Sequence, residues 1–420
     1  MNQIKNKIST IVKNKEAKTV ASNFIWLSAL QVASYAFPLI TMPYLAKIIG
    51  VAGFGKIAFA STIMIWIQTI ADWGFNLTAT RDVAQNRENS NKVSEIFSNV
   101  LWARCLLMIL SFAILVALVF IIPRFRENAL IIFVTFLMIP GHILYPDWFF
   151  QAVEKMKYLT ILNVLMKFIF TVAVFIFIKR EDQYILQPLF TSIGYVVSGL
   201  IAMYIICAKW EVKIYSPSFS SIIKTIKNST DVFINNLMPN LYNSFSTILL
   251  GVVGGGAAVG ILDGGNKFIH FGTQVLQTIE RAFFPFLSRR IDKHYIFQRL
   301  NICLSAIMAF GLFIFAPLLV RLLLSPEFAE SVYVLRIRAI SLIFFAITNT
   351  YGKNFLIILH KETIMRKVTM CCCLIGFAIA WPLVYKYSYI GASLTTTISI
   401  ALLAISYYIV AKIVQRKLKV

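Results

Sequence analysis

The chain has 420 residues, 59% of them hydrophobic and only 14% charged, whereas a water-soluble globular protein devotes about a quarter of its residues to charge. That deficit excludes a soluble surface. The formal net charge of +22 does not mark a nucleic-acid binder either, because the basic residues punctuate apolar stretches instead of gathering on one solvated face.

In chain order, the polar, lysine-rich segment 1–22 leads into an apolar stretch longer than a signal-peptide core, with no small-residue cleavage site. It is expected to be retained, as a cytoplasmic N-terminus followed by the first span. Six apolar spans are expected near 23–46, 56–77, 99–122, 128–150, 158–178 and 186–208. A connector, 209–230, separates them from six more near 231–253, 257–283, 300–324, 332–352, 367–385 and 389–411, and 412–420 forms a tail. Most of these stretches are long enough for a helix rising 1.5 Å per residue to cross about 30 Å of hydrocarbon. The expected fold is therefore all-α, a polytopic membrane protein of about 12 transmembrane helices, arranged as an N-terminal bundle (23–208) and a C-terminal bundle (231–411) of six helices each.

Lys and Arg set the expected orientation, since positively charged loops stay in the cytoplasm. With the N-terminus inside, 26 of the 40 basic residues fall on inner segments and 10 on outer ones, Arg336 and Arg338 among the latter. Both termini are thus expected in the cytoplasm. No loop exceeds about 22 residues, which leaves no room for a soluble catalytic domain. Glycines recur between spans one and two (Gly50, Gly53, Gly55) and between spans seven and eight (Gly254, Gly255, Gly256, Gly260), an echo that suggests an internal repeat of the kind found in secondary transporters.

Four basic residues, Arg104, Lys167, Lys267 and Arg281, fall inside the spans. Charge at that depth costs about 2.5 to 3.5 kcal/mol on insertion scales and usually faces a bundle interior or water-filled cavity. Lys167 lies deepest. Asp263 and Lys267 are one helical turn apart and can neutralise each other, while Arg104 and Arg281 sit where a long side chain can reach an interface. Asp72 and Asp147 stand beside Trp73 and Trp148, which favours an interfacial belt over an ion-coupling role. Prolines at 38, 43, 140, 146 and 239 bend their spans.

The six cysteines lie in or at the ends of apolar segments and read as packing residues. The four histidines, His142, His270, His294 and His360, show no metal-ligand spacing. The chain carries no Walker loop, Gly-x-Ser-x-Gly elbow or dinucleotide fingerprint. No metal, cofactor or catalytic residue is expected, and the chain is not expected to be an enzyme.

Two segments, Ala71-Asp72-Trp73-Gly74-Phe75-Asn76-Leu77-Thr78-Ala79-Thr80-Arg81-Asp82-Val83-Ala84 and Asp147-Trp148-Phe149-Phe150-Gln151-Ala152-Val153-Glu154-Lys155-Met156, resemble the polysaccharide-transporter family, the Wzx-type O-antigen flippases. Span count and short loops agree along nearly the whole chain. The resemblance implies two six-helix bundles around a central cavity that opens alternately to either side of a bacterial inner membrane. It implies a substrate made of an oligosaccharide repeat unit, O-antigen or capsule type, on undecaprenyl diphosphate, with the bilayer, a polysaccharide polymerase and a chain-length regulator as partners and no nucleic acid.

On that basis Lys167, Lys267, Arg104 and Arg281 are the candidate substrate-binding residues, and Asp263 and Asp72 the candidate ion-coupling ones. A positive wall suits a diphosphate that cannot shed its hydration in hydrocarbon. A drug or metabolite exporter of the same superfamily would need an acidic cavity, a polymerase or ligase a large outer loop, and a lipid II flippase commonly two further helices.

Overall fold

The computed structural model describes residues 2–216, 218–289, 291–359 and 361–418. The side chains of 1–21 and of some later positions, Arg281 among them, lie outside the described residues. Helix α1 (Asn2–Ile48), with Pro38 and Pro43 inside it, is followed by α2 (Gly50–Asp72), which starts on Gly50 at φ +64°. Left-handed backbone at Trp73 and Gly74 makes an elbow into α3 (Phe75–Gln85).

Helix α4 (Ser90–Ile121) begins on an Asn89 side chain that accepts the Lys92 N–H at 3.0 Å, satisfying one of the donors that every helix start leaves open. Its 32 residues present Ile109, Leu110, Phe120 and Ile121 outward. Such a continuous exposed apolar face suits hydrocarbon rather than water.

The next crossing is assembled from short pieces, α5 (Pro123–Glu127), α6 (Ala129–Phe136), α7 (Met138–Leu144) and α8 (Asp147–Ala152). Pro146 has no N–H to continue α7, and the Asp147 carboxylate restarts the helix by accepting the Trp148 N–H at 2.8 Å. Helices α9 (Met156–Phe177) and α10 (Leu186–Lys209) complete the first half.

The connector expected over 209–230 is non-helical over 210–216. It lies along α4, with Lys213 and Tyr215 N–H groups donating to the Ser94 and Ser98 hydroxyls at 3.0 and 2.9 Å. Helix α11 (Phe219–Leu237) follows and packs on the first half, where Ser229 bonds Thr78 at 2.7 Å.

The second half comprises α12 (Ser244–Arg289), α13 (His294–Leu323), α14 (Ser331–Thr348), a π-helical stretch (Asn349–Ile357) and α15 (Glu362–Leu418). Among the described residues, ten helical stretches are long and apolar enough to span a membrane. Two of them contain a break. Gly255 (φ +78°) interrupts α12 and Ser388 (φ +51°) interrupts α15.

Residues eight apart in an unbroken helix are separated by about 12 Å along the axis. A Cβ built on Gly391 would instead lie 1.9 Å from the Leu383 carbonyl, so the chain folds back at Ser388. The two breaks raise ten stretches to twelve crossings.

The glycine segments do more than turn the chain. They meet each other. A Cβ on Gly55 would sit 1.7 Å from the Gly256 carbonyl oxygen, and one on Gly260 would sit 2.1 Å from that of Val51. Only glycine lets α2 and α12 come so close. Around this seam one apolar core joins the two halves, with Ala58, Phe59 and Ile63 of α2 beside Leu250, Val259 and Leu262 of α12 and Val384 of α15.

Candidate functional site

Among the described residues, two clusters that pair opposite charges lie at helix depth. The first is at the Asp72 end of α2, where the elbow at Trp73 and Gly74 fixes the carboxylate between α4 and α7. Arg104, fourteen residues into α4, donates Nη2–H to Asp72 Oδ1, with its side chain only 3% exposed. The His142 Nε2 atom of α7 is 3.2 Å from both Asp72 oxygens. The Gln68 amide nitrogen, one turn before Asp72, lies 3.1 and 3.4 Å from the two ring nitrogens.

Asp147 is within electrostatic reach of His142, Arg104 and Asp72, and the Tyr195 ring of α10 stands edge-on to His142 at 6.0 Å. The two signature segments singled out in the sequence thus converge here. Thr80 of one donates to the Trp148 carbonyl of the other at 3.2 Å, and Arg87 at the end of α3 pairs with Glu154 at 3.3 Å.

This corrects the interfacial reading of Asp72 and Asp147. Trp148 is 2% exposed within an aromatic core with Phe97, Phe149 and Phe150, so it does not sit in a headgroup belt. Arg104 likewise differs from expectation. Its side chain is buried and does not snorkel; Nη2 pairs with Asp72, while Nε and Nη1 have no hydrogen-bond partner among the described residues.

The second region is in the α12–α14 half. Asp263 and Lys267 pair at 3.2 Å along one face of α12, and the half-exposed Lys267 ammonium lies 5.7 Å over the Phe54 ring of α2, across the joint between halves. Asn266, the residue before Lys267, lies on the neighbouring face, and its Oδ1 accepts Arg338 Nε–H at 3.0 Å. Arg338 is 6% exposed, and its Nη1 has no hydrogen-bond partner among the described residues.

Arg338 was counted with the outer charges, yet it is the eighth residue of α14, about 10 Å from the helix start. The signal was available, because the apolar run continues on both sides of it. Lys167 stands apart from both regions. Half-buried on α9, it donates to the Ser34 hydroxyl of α1 at 2.8 Å. The Arg281 side chain lies outside the described residues.

Comparison with known proteins fits this arrangement. The profile of the family described as "Polysaccharide biosynthesis protein" matches residues 20–290. The chain belongs to that family. A family relative in Escherichia coli (strain K12), named "Putative O-antigen transporter", is 26% identical over 91% of this chain and 94% of its own length. A protein of the same name from Shigella dysenteriae is 26% identical over 87% and 93%.

Among solved structures, the lipid II flippase MurJ in an inward closed conformation superposes with a TM-score of 0.74 at 13% identity, covering 93% of this chain and 87% of that one. A MATE protein in the bent conformation gives 0.55 at 15%, covering 96% of both. At such identities the likeness shows the fold alone, an all-helical multi-pass membrane architecture.

Proposed function

We propose that the chain is a flippase that moves an undecaprenyl-diphosphate-linked oligosaccharide repeat unit from the cytoplasmic to the outer leaflet by alternating access. Residues 23–208 and 231–411 act as its two moving bundles. The observation that carries this reading is the cationic region of the second half. Lys267 and Asn266 are neighbours on α12, Asn266 holds Arg338 of α14, and Asp263 is the carboxylate paired with Lys267. A local excess of positive charge suits a diphosphate, whose passage through bare hydrocarbon is prohibited by its hydration. The family relatives named as O-antigen transporters supply the substrate class.

In this reading the Gly50 side faces outward, both termini are cytoplasmic, and the lipid tail stays in the bilayer while the headgroup crosses. Lys167 provides a second positive station on the α1–α9 wall; Arg281 lies on the same helix as Lys267. No bond is made or broken by the protein. A surface-glycan polymerase and its chain-length regulator act on the product.

The test is complementation of a strain lacking its own flippase, with membrane levels matched. Lys267→Ala and Arg338→Gln are expected to lower surface glycan and leave lipid-linked intermediates on the cytoplasmic leaflet. Lys167→Ala should do the same to a lesser degree. Wild-type display by Lys267→Ala combined with Lys167→Ala would overturn the assignment of these cations, and a wild-type chain that restores no more display than an empty vector would overturn the flippase itself.

A further inference from the structure

Helix α2 starts without a cap of its own. The residues before it, Lys47, Ile48 and Ile49, offer no hydroxyl or short carboxylate, and Ile49 makes no side-chain bond to the helix start. A helix start leaves its first backbone N–H groups open and carries partial positive charge, so an acceptor has to come from elsewhere. It comes from the other half of the molecule. Glu327, in the single 3₁₀ turn Pro326–Phe328 between α13 and α14, accepts the Val51 N–H on Oε2 at 2.8 Å, across 276 residues of sequence.

The contact is held in place by its neighbours. Phe328, fully buried beside Glu327, stands edge-on to Phe54, one turn into α2, with ring centroids 5.4 Å apart. The Phe328 ring also fills the space that a Cβ on Gly264 of α12 would need, at 2.8 Å. The cap therefore sits at the end of the seam between α2 and α12, the outer end in the topology proposed above.

A second carboxylate stands at the same place. A Cβ built on Gly50 would lie 3.0 Å from Glu327 Oε2 and 3.7 Å from Glu181 Oε1. Glu181 opens the 3₁₀ turn Glu181–Ile185 between α9 and α10, so it belongs to the same half as α2. Two carboxylates, one from each half, thus meet at the first residue of α2, and Glu327 takes the Val51 N–H. Like charges this near each other repel, so Glu181 weakens the hold of Glu327 even before the halves move.

We propose that the two glutamates exchange the start of α2: Glu327 caps it while the halves are closed at this end, and Glu181 takes over when they part. Glu327 alone would make each opening leave the helix start bare. The hand-over returns part of that cost, so opening is restrained without being prevented. The inference rests on the alternating access proposed above for the parting itself; the roles of the two side chains follow from the geometry of this end.

The test reads the gap between the halves with no substrate present. In a cysteine-free background, the full-length protein in lipid nanodiscs carries spin labels at Glu127→Cys in α5 and Arg321→Cys in the last turn of α13, both exposed and one in each half. Pulsed electron spin resonance then gives the ratio of longer to shorter distances. Glu327→Ala is expected to raise that ratio about tenfold or more, the weight of one charge-assisted bond. Glu327→Gln keeps the shape and an acceptor oxygen, and should raise it less. Adding Glu181→Ala to Glu327→Gln is expected to lower the ratio about threefold or more, because the parted state then has no cap. A ratio unmoved by Glu327→Ala overturns the latch, and one that Glu181→Ala leaves unchanged or raises overturns the exchange. Surface display is measured separately, so either failure leaves the flippase reading standing, and a chain that restores no display can still show both shifts.

Discussion

Trp73 lies flat on Phe233, with ring centroids 3.8 Å apart and planes 5° from parallel. The stack joins the elbow after α2 to α11, the helix that leads into the second half, and the indole N–H adds a 3.3 Å bond to Thr230. Movement of α2 at this end is therefore passed directly to α11.

Replacing Trp73 by Ala removes the stack, worth about 0.5 to 1.5 kcal/mol beyond the area it buries. The connector before α11 is expected to loosen with it. Limited trypsin digestion should cut faster at the exposed Lys213, while Trp381→Ala, on a side chain 62% exposed, should leave the cleavage rate unchanged.

Arg104→Met strands the Asp72 carboxylate. Removing one partner of a buried pair costs about 3 to 5 kcal/mol, so the melting temperature in detergent is expected to fall sharply. Adding Asp72→Asn should restore part of it, because the stranded charge is then gone. Equal melting temperatures for the single and double variants would contradict a buried pair.

Arg338→Lys tests geometry against charge. Lysine keeps the positive charge but has no Nε–H on the line to Asn266 Oδ1, and loss of a charge-assisted bond is worth about 1.5 to 3 kcal/mol. Surface glycan in the complementation assay is expected to drop about tenfold or more for Arg338→Lys, with a smaller drop for Asn266→Ala.

Orientation can be read by labelling. In a cysteine-free background, a membrane-impermeant maleimide added to intact cells is expected to react at Glu127→Cys, in α5 beyond the far end of α4, and not at Glu95→Cys, in the first turns of α4, both of which replace half-exposed side chains. Permeabilised cells should label both. The reverse pattern would invert the proposed topology.

Gly55→Leu places a branched side chain where even a methyl meets the Gly256 carbonyl. Overpacking of this kind costs about 1 to 3 kcal/mol, and α2 must move off α12. Gly311, in α13, has nothing within 4 Å of a built Cβ. Gly311→Ala is expected to raise stability by about 0.5 to 1 kcal/mol through helix propensity alone. Thermal denaturation of the two variants should move in opposite directions.

The crossings were legible because apolar length and charged punctuation are local properties. Even the fold-back at Ser388 was marked by the interruption near Lys386. The Asp263–Lys267 pair was legible for the same reason, being one turn apart. The cluster at Asp72 was not, since Arg104 is 32 residues away and His142 is 70, and no local periodicity records such a meeting. Tryptophan beside Asp72 and Asp147 pointed to an interface because local sequence cannot distinguish a headgroup belt from an aromatic core. The glycines were read as turns for a related reason. Gly50 and Gly255 do turn the chain, whereas Gly55, Gly256 and Gly260 are explained only by the helix on the far side.

That glycine seam has a mechanical consequence. Two helices that touch through bare backbone have no interlocking side chains at the point of contact, and their peptide groups are already bonded within each helix. Drawing them apart there breaks dispersion contact but no ladder of ion pairs. The joint behaves as a smooth bearing, firm while its shape matches and quick to release, which is what the proposed alternating access asks of that end of the molecule.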